Sequence, residues 1–276
     1  MSSDEKTTAD WIFATATVIW AIAVGLIARI LLMTFAQQWG GKRALLWLES
    51  TPRGLAVGAI TIQLALLALV AFRARLVPIL RARLLRATRE RPSHWVLALL
   101  FILGLAPFAN LFGVLVAKLT GSDLESMKYV SDLIQRASSA DLILLAIVLS
   151  LFPAVVEESL FRGLLLGSLS GLRVPFAIGL QALAFGLFHM DVAQGAATLV
   201  LGLGFGFIAQ STGSLKGSML AHAGYNFTVL LVQRSLGDTE PAMKWQIFEL
   251  TFGLVVAALA ARKLYEHAKV SSGVVS

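Results

Sequence analysis

The sequence predicts an all-α protein, a polytopic membrane helical bundle of about eight transmembrane helices with both termini in the cytoplasm. Three observations predict this class. Of the 276 residues, 57% are hydrophobic and 14% are charged, with a mean hydropathy of +0.79, whereas soluble domains carry about 25% charged residues. Apolar runs long enough to cross about 30 Å of hydrocarbon recur along the chain. Arginine is concentrated in one loop, which sets the orientation.

The apolar runs follow one another closely. They lie at 11–35, 54–72, 95–117, 142–166, 175–190, 193–210, 217–233 and 245–261. The first run follows MSSDEKTTAD, which lacks the basic segment of a signal peptide, so we expect an uncleaved span. The spacing leaves no room for a sizeable soluble domain. We therefore predict a single integral membrane domain over residues 1–276, with N-terminal spans in 1–139 and a separate functional core in 140–233.

The loop between the second and third runs, residues 73–94, is rich in arginine. It holds seven arginines from Arg73 to Arg91 and one acid, Glu90. Basic loops stay in the cytoplasm, and counting outward from this one places both termini there as well. We expect the loop to rest on anionic lipid. The net charge of +7 and the pI near 10.1 are explained in this way, without a nucleic-acid partner.

The segment after the third run, GSDLESMKYVSDLIQRASSAD, falls on the opposite side of the membrane in this topology. Its apolar residues recur at helical spacing between polar and charged ones. We expect an amphipathic surface helix there.

Ionisable groups within the spans are few, and apart from Arg29 late in the first run, which can reach the outer interface, they cluster in the second half of the chain. The stretch LFPAVVEESLFRGLLLG, residues 151–167, places three charges in the fourth run, and two later runs carry histidines and an amide. A charge at the bilayer centre costs a few kcal/mol on insertion scales, so such groups pair or line a wet cavity. The residues concerned are Glu157, Glu158, Arg162, His189, His222 and Asn226.

The two adjacent glutamates have different surroundings on a helix. Glu158 and Arg162 are four residues apart and share a face, in the favourable order for an ion pair. Glu157 points about 100° away and has no partner nearby in sequence, so it is the carboxylate available for chemistry. Pro153 lacks the N–H that would bond the carbonyl of Leu149, which predicts an irregular helix of the kind that borders a cavity.

These residue types suit hydrolysis. A carboxylate beside an imidazole, such as Glu157 with His189, can hold a water molecule and take its proton. His222 and Asn226, one helical turn apart, offer two donors for an oxyanion, provided that the ring nitrogen facing the substrate carries its proton. The chain contains no cysteine, which excludes thiolate catalysis and disulfides.

Three motifs resemble those of the CPBP family of intramembrane proteases. EESLFR resembles the EExxxR motif, FGLFH the FxxxH motif and HAGYN the HxxxN-type motif, in the family's order and over residues 140–233. The family includes type II CAAX prenyl endopeptidases and bacteriocin-processing and self-immunity proteins. The resemblance implies an intramembrane endopeptidase in which Glu157 and His189 activate water and His222 and Asn226 stabilise the oxyanion. It implies supporting roles for Glu158, Arg162 and Phe185, the last packing under His189.

The residues leave the use of a metal open. Two glutamates and two histidines would suit Zn²⁺, and the ligands would then be Glu157, His189 and His222. The HExxH spacing is absent, however, and a water molecule held by glutamate and histidine needs no metal. We therefore favour a protease that requires no cofactor, with a metalloprotease as the alternative.

Two other functions are compatible with the sequence. A transporter would spread its intramembrane charges over both halves or carry paired broken helices, whereas here they form one cluster. A noncatalytic immunity or scaffold protein of the same fold would tolerate loss of Glu157. The composition looks bacterial, so we expect the inner membrane as the location and a membrane-associated protein or peptide precursor as the substrate.

Overall fold

The computed structural model describes residues 3–76, 92–122, 125–236 and 243–271, and 93% of it is helical, with no strand in these ranges. The all-α class is therefore confirmed for this part of the chain. The helices are α1 (Ser3–Ser50), α2 (Pro52–Leu76), α3 (Pro92–Thr120), α4 (Glu125–Arg136), α5 (Ser139–Ser168), α6 (Val174–Phe188), α7 (Val192–Thr212), α8 (Lys216–Leu236) and α9 (Met243–Ser271).

Five of these helices are long and apolar enough to cross a membrane. They are α1 from Trp11 onward, α2 up to Arg75, α3, α5 and α7. The other three predicted spans coincide with the shorter apolar helix α6 and with α8 and α9. Eight crossings and cytoplasmic termini consequently stay predictions.

Most of the arginine-rich loop, residues 77–91, lies outside the described residues, so its contact with anionic lipid stays a prediction. Arg73 at the edge of this loop is described and is buried. Its Nη2 donates to Thr17 Oγ1 at 2.6 Å and to the Phe13 carbonyl at 2.8 Å. Its guanidinium lies 3.8 Å from the centre of the Phe13 ring. These contacts tie the end of α2 to the start of α1.

Helix α3 packs against α7, α8 and α9 and supports the second half of the chain. Its closest approach is to α9, where a Cβ added at Gly104 would lie 2.5 Å from the Gly253 carbonyl oxygen. A Cβ added at Gly253 would lie 2.6 Å from the Gly104 carbonyl oxygen. Small residues at such crossings let helix backbones approach closely, which stabilises helix association in membranes.

The segment expected to form an amphipathic helix is α4. Its apolar residues Leu133 and Ile134 are buried, and Ile134 packs in one cluster with residues of α2, α5 and α8. Arg234 near the end of α8 donates to the carbonyls of Ile134 and Gln135. Nearby, Arg53 and Asp141 join the start of α2 to the start of α5 at 2.7 Å. Helix α4 is thus held against α2 and α8.

Helix α5 departs from regular α geometry in two places. Residues 147–151 and 159–165 are π-helical: Phe152 N–H bonds the Ile147 carbonyl, and Leu166 N–H bonds the Phe161 carbonyl, five residues earlier in each case. Such wide turns often occur at functional sites. The two turns flank Glu157 and Glu158, and every residue from 156 to 167 is buried.

Candidate active site

An ion pair lies at the centre of the buried polar cluster. Arg162 Nη1 donates to Glu158 Oε1 at 2.9 Å, and both side chains are fully buried. Arg162 Nη2 also donates to the Gly202 carbonyl of α7 at 3.3 Å. The guanidinium lies 4.3 Å from the Phe185 ring centre and 5.0 Å from that of Phe205. The i,i+4 spacing predicted the pair, but its partners on α6 and α7 come from tertiary packing.

His222 on α8 contacts both glutamates. Its Nδ1 lies 2.9 Å from Glu158 Oε1 and its Nε2 lies 3.9 Å from Glu157 Oε2. The imidazole stacks on the Phe205 ring at a centroid distance of 4.8 Å. Because an ionised carboxylate only accepts hydrogen bonds, the contact with Glu158 places a proton on Nδ1. The Nε2 atom of a neutral ring is then an acceptor, and it becomes a donor when the ring is doubly protonated.

Glu157 finds its partners on other helices, as its isolation within α5 predicts. Its side chain is buried, and its Oε1 accepts a hydrogen bond from Gln63 Nε2 of α2 at 2.9 Å. Its Oε2 is the oxygen that faces His222 Nε2. One carboxylate oxygen is therefore held by an amide, while the other lies beside an imidazole.

His189 follows the last residue of α6 and is half-buried. Its Nδ1 lies 2.8 Å from the Phe185 carbonyl, which can only accept, so Nδ1 carries the proton. Thr198 Oγ1 of α7 lies 3.4 Å from the same nitrogen. The Phe185 ring meets the imidazole edge-on, with 5.0 Å between ring centres. A neutral His189 consequently presents an unprotonated Nε2.

Asn226 on α8 bonds the carbonyl that Pro153 leaves without its helical partner. The Asn226 Nδ2 atom donates to the Leu149 carbonyl at 3.1 Å. Leu149 lies within the first π-helical turn of α5. The amide orientation is thereby fixed with its nitrogen toward α5, and a primary amide carries two N–H groups.

The three candidate metal ligands do not converge as a metal site requires. The described residues contain no group of three or more His, Cys, Asp or Glu side chains that could hold a metal ion. His222 Nδ1 is engaged by Glu158, Glu157 Oε1 by Gln63, and His189 Nδ1 by a carbonyl. Histidines that bind a metal commonly donate their other ring N–H to a carboxylate or a carbonyl in this way. The metal-free protease and the metalloprotease alternative therefore both stay predictions, and no chemical step is derived through a metal.

Sequence reasoning missed several residues that hold this site. Gln63 had one available signal, since it is the only strongly polar side chain in the run 54–72. The sequence gives no signal for the contacts of Gly202, Thr198 and Phe205, because each of these residues acts through a contact between helices. Gly202 is constrained by packing, since an added Cβ would lie 3.1 Å from the Ala182 Cα.

Comparison with known proteins supports the resemblance that the motifs indicate. The family model described as Type II CAAX prenyl endopeptidase Rce1-like matches residues 139–228. This segment, about a third of the chain, contains all three motifs, and the resemblance to the CPBP family of membrane proteases is confirmed. No curated protein and no solved structure matches the chain. Together with the five apolar helices, the match indicates an integral membrane protein and a protease.

Proposed function

Residues 139–228 match the Rce1-like family model. On this basis we propose that the protein is an intramembrane endopeptidase. It hydrolyses a peptide bond of a membrane-associated protein or peptide precursor. The observation that carries this proposal is the buried contact of Glu157, Glu158 and His222 between α5 and α8. Carboxylates and imidazoles retained inside apolar helices indicate a functional site.

Glu157 and His189 activate the attacking water in this proposal. The ionised Glu157 carboxylate and the unprotonated His189 Nε2 are both acceptors, so each can bind a hydrogen of one water molecule. The water oxygen attacks the peptide carbonyl carbon while Glu157 takes the proton. When the C–N bond breaks, the same proton passes to the leaving amine nitrogen. The products are a new carboxyl terminus and a new amino terminus.

His222 and Asn226 stabilise the oxyanion formed by that attack. Asn226 uses one N–H for the Leu149 carbonyl and has a second N–H for the substrate oxygen. His222 can donate from Nε2 only when its ring is doubly protonated, because Nδ1–H is directed to Glu158. Glu158 and Glu157 flank the ring. Donors fixed before the reaction begins are the main source of such stabilisation.

Glu158 and Arg162 hold the geometry of the site. Glu158 Oε1 accepts from both Arg162 and His222, so it orients the imidazole toward Glu157. Arg162 supplies the counter-charge and links α5 to the Gly202 carbonyl of α7. We propose a bacterial inner membrane as the location. The substrate is membrane-associated because the site lies between apolar helices.

The decisive experiment compares protein termini in host membranes that contain the wild type or Glu157→Gln at matched levels. Glutamine keeps the size of Glu157 and an oxygen for Gln63 but cannot take a proton. Loss of a general base lowers the rate of the catalysed reaction by about a hundred- to ten-thousandfold. We therefore expect the termini produced by cleavage of the substrate to disappear. The matched control is Glu249→Gln, which removes an exposed carboxylate on α9 and should leave them unchanged. Identical termini in the Glu157 variant and the wild type would favour a noncatalytic immunity or scaffold protein.

A further inference from the structure

Gln63 lies in the middle of α2, outside the segment 139–228 that the family model matches. Its side chain is 7% exposed. Its amide nitrogen reaches Glu157 Oε1 at 2.9 Å, across 94 residues of sequence. Helix α2 packs along α5 on both sides of this contact. An amide from the N-terminal half of the chain is thus in direct contact with the proposed general base.

The orientation of this amide follows from the chemistry of its partner. An ionised carboxylate has no hydrogen to donate, so the Gln63 nitrogen faces Glu157 and its carbonyl oxygen points elsewhere. That oxygen, Oε1, is buried and has no hydrogen-bond partner among the described residues. A buried carbonyl oxygen without a donor is costly. A water molecule beside Glu157 would supply the missing donor.

We propose that Gln63 is a positioning residue for the general base Glu157, an inference that rests on the proposed function. Its N–H fixes one oxygen of Glu157, which leaves Oε2 directed at His222 and available to take a proton. Its carbonyl oxygen accepts a hydrogen bond from a second water molecule, because Glu157 and His189 take both hydrogens of the attacking one. The base is then oriented by an amide from a neighbouring helix, which adds a requirement on the N-terminal spans to the motifs of the C-terminal half.

The direct test is infrared spectroscopy of the purified full chain, which needs no substrate. The spectrum of the wild type minus that of Glu157→Gln isolates the carboxylate band of Glu157. The same subtraction is made in a Gln63→Leu background and, as the control, in a Thr61→Val background. Thr61 lies on the same helix, and its hydroxyl donates to the Val57 carbonyl of that helix. We expect the band to shift in the Gln63→Leu background alone. An unchanged band in both backgrounds overturns the proposal.

Cleavage rates separate this inference from the proposed function. We expect Gln63→Leu to lower the rate at which substrate termini accumulate by roughly ten- to a hundredfold, the size expected for one hydrogen bond to a charged group. Gln63→Met, which keeps the unbranched shape, serves if the leucine variant folds poorly. Normal cleavage by the Gln63 variants alongside an inactive Glu157→Gln overturns the positioning role alone. Normal cleavage by Glu157→Gln overturns both proposals.

A double-mutant cycle identifies how Gln63 acts. In a Glu157→Asp background the shortened carboxylate no longer reaches the Gln63 amide, so adding Gln63→Leu should cost little further activity. A purely structural role for Gln63 predicts the same loss in both backgrounds, because helix packing does not depend on the length of residue 157. Equal losses would therefore contradict the proposal.

Discussion

Two buried arginines, one in each half of the chain, show how differently the halves use polar groups. Arg73 and Arg162 each lie over a phenylalanine ring, at 3.8 Å from Phe13 and 4.3 Å from Phe185. Arg73 bonds a hydroxyl and a backbone carbonyl of α1. Arg162 bonds a carboxylate that in turn bonds an imidazole. Among the residues that the structure describes, the second arginine belongs to a connected network of ionisable groups, whereas the first bonds uncharged groups.

The helices of the two halves also differ in how much of their surface is buried inside the protein. In the most apolar stretch of α1, 11% of the residues are buried inside the protein, against 56% in α7. Helix α1 accordingly presents large apolar side chains outward, to lipid. A charged side chain near the end of a span can reach the interface, whereas one in its middle must find a partner. The N-terminal helices pack against α5 at several places, and Gln63 is the residue through which α2 bonds Glu157.

The largest effect is expected when the buried ion pair is broken. Arg162→Met leaves Glu158 buried without its counter-charge, and losing one partner of such a pair costs about 3–5 kcal/mol. We expect a large fall in melting temperature in detergent together with loss of cleavage. Arg53→Met is the control, because it breaks an arginine–carboxylate pair in which Arg53 is exposed, and it should change the melting temperature little. Equal shifts for both variants would contradict this role of Arg162.

A smaller effect, confined to activity, is expected at Asn226. Asn226→Ala removes the proposed oxyanion donor, which lowers the rate of acyl-transfer enzymes by about a hundred- to a thousandfold. The measurement is the rate of appearance of substrate termini at matched protein levels. Thr228→Val on the same helix is the control, since its hydroxyl bonds only the Gly224 carbonyl. A rate for Asn226→Ala within a few-fold of the control would remove Asn226 from the oxyanion site.

In the N-terminal half, Thr17→Val should affect stability and not chemistry. The change removes the hydroxyl that accepts from Arg73 Nη2 and donates to the Phe13 carbonyl, and it leaves the hydrogen bond from Arg73 to that carbonyl in place. Each hydrogen bond contributes about 1 kcal/mol, so we expect a lower melting temperature and an unchanged cleavage rate. A strong loss of activity without a loss of stability would show that the α1–α2 contact belongs to the catalytic machinery.

No effect is expected from removing metals. The proposed activation of water by Glu157 and His189 uses no metal, so cleavage in membranes treated with a chelator should proceed at the untreated rate. Metal analysis of the active, purified protein should find less than one divalent ion per chain. Stoichiometric zinc that is lost together with activity, and restored with it, would establish the metalloprotease alternative.

The sequence by itself determined those features that depend on neighbouring residues. The apolar runs predicted helices, and the spacing of Glu158 and Arg162 predicted their pairing, because positions four apart share a helix face. Pro153 predicted a carbonyl without its helical partner, since proline has no N–H at that place. The motifs predicted the family that residues 139–228 match. The number of membrane crossings was harder to predict from the sequence. By length and apolar composition, five helices can span a membrane, and α6, α8 and α9 are not among them.

Only the tertiary structure decided which groups meet across helices. It directed Asn226 to Leu149, placed Gln63 against Glu157, and directed His222 Nδ1 to Glu158. These contacts depend on how each helix is rotated about its axis and how closely its neighbour approaches. The two π-helical turns of α5 change that rotation on either side of the glutamates. Spacing along one helix carries no information about the rotation of the helix beside it, which is why the partners of Glu157 could be found only in the folded protein.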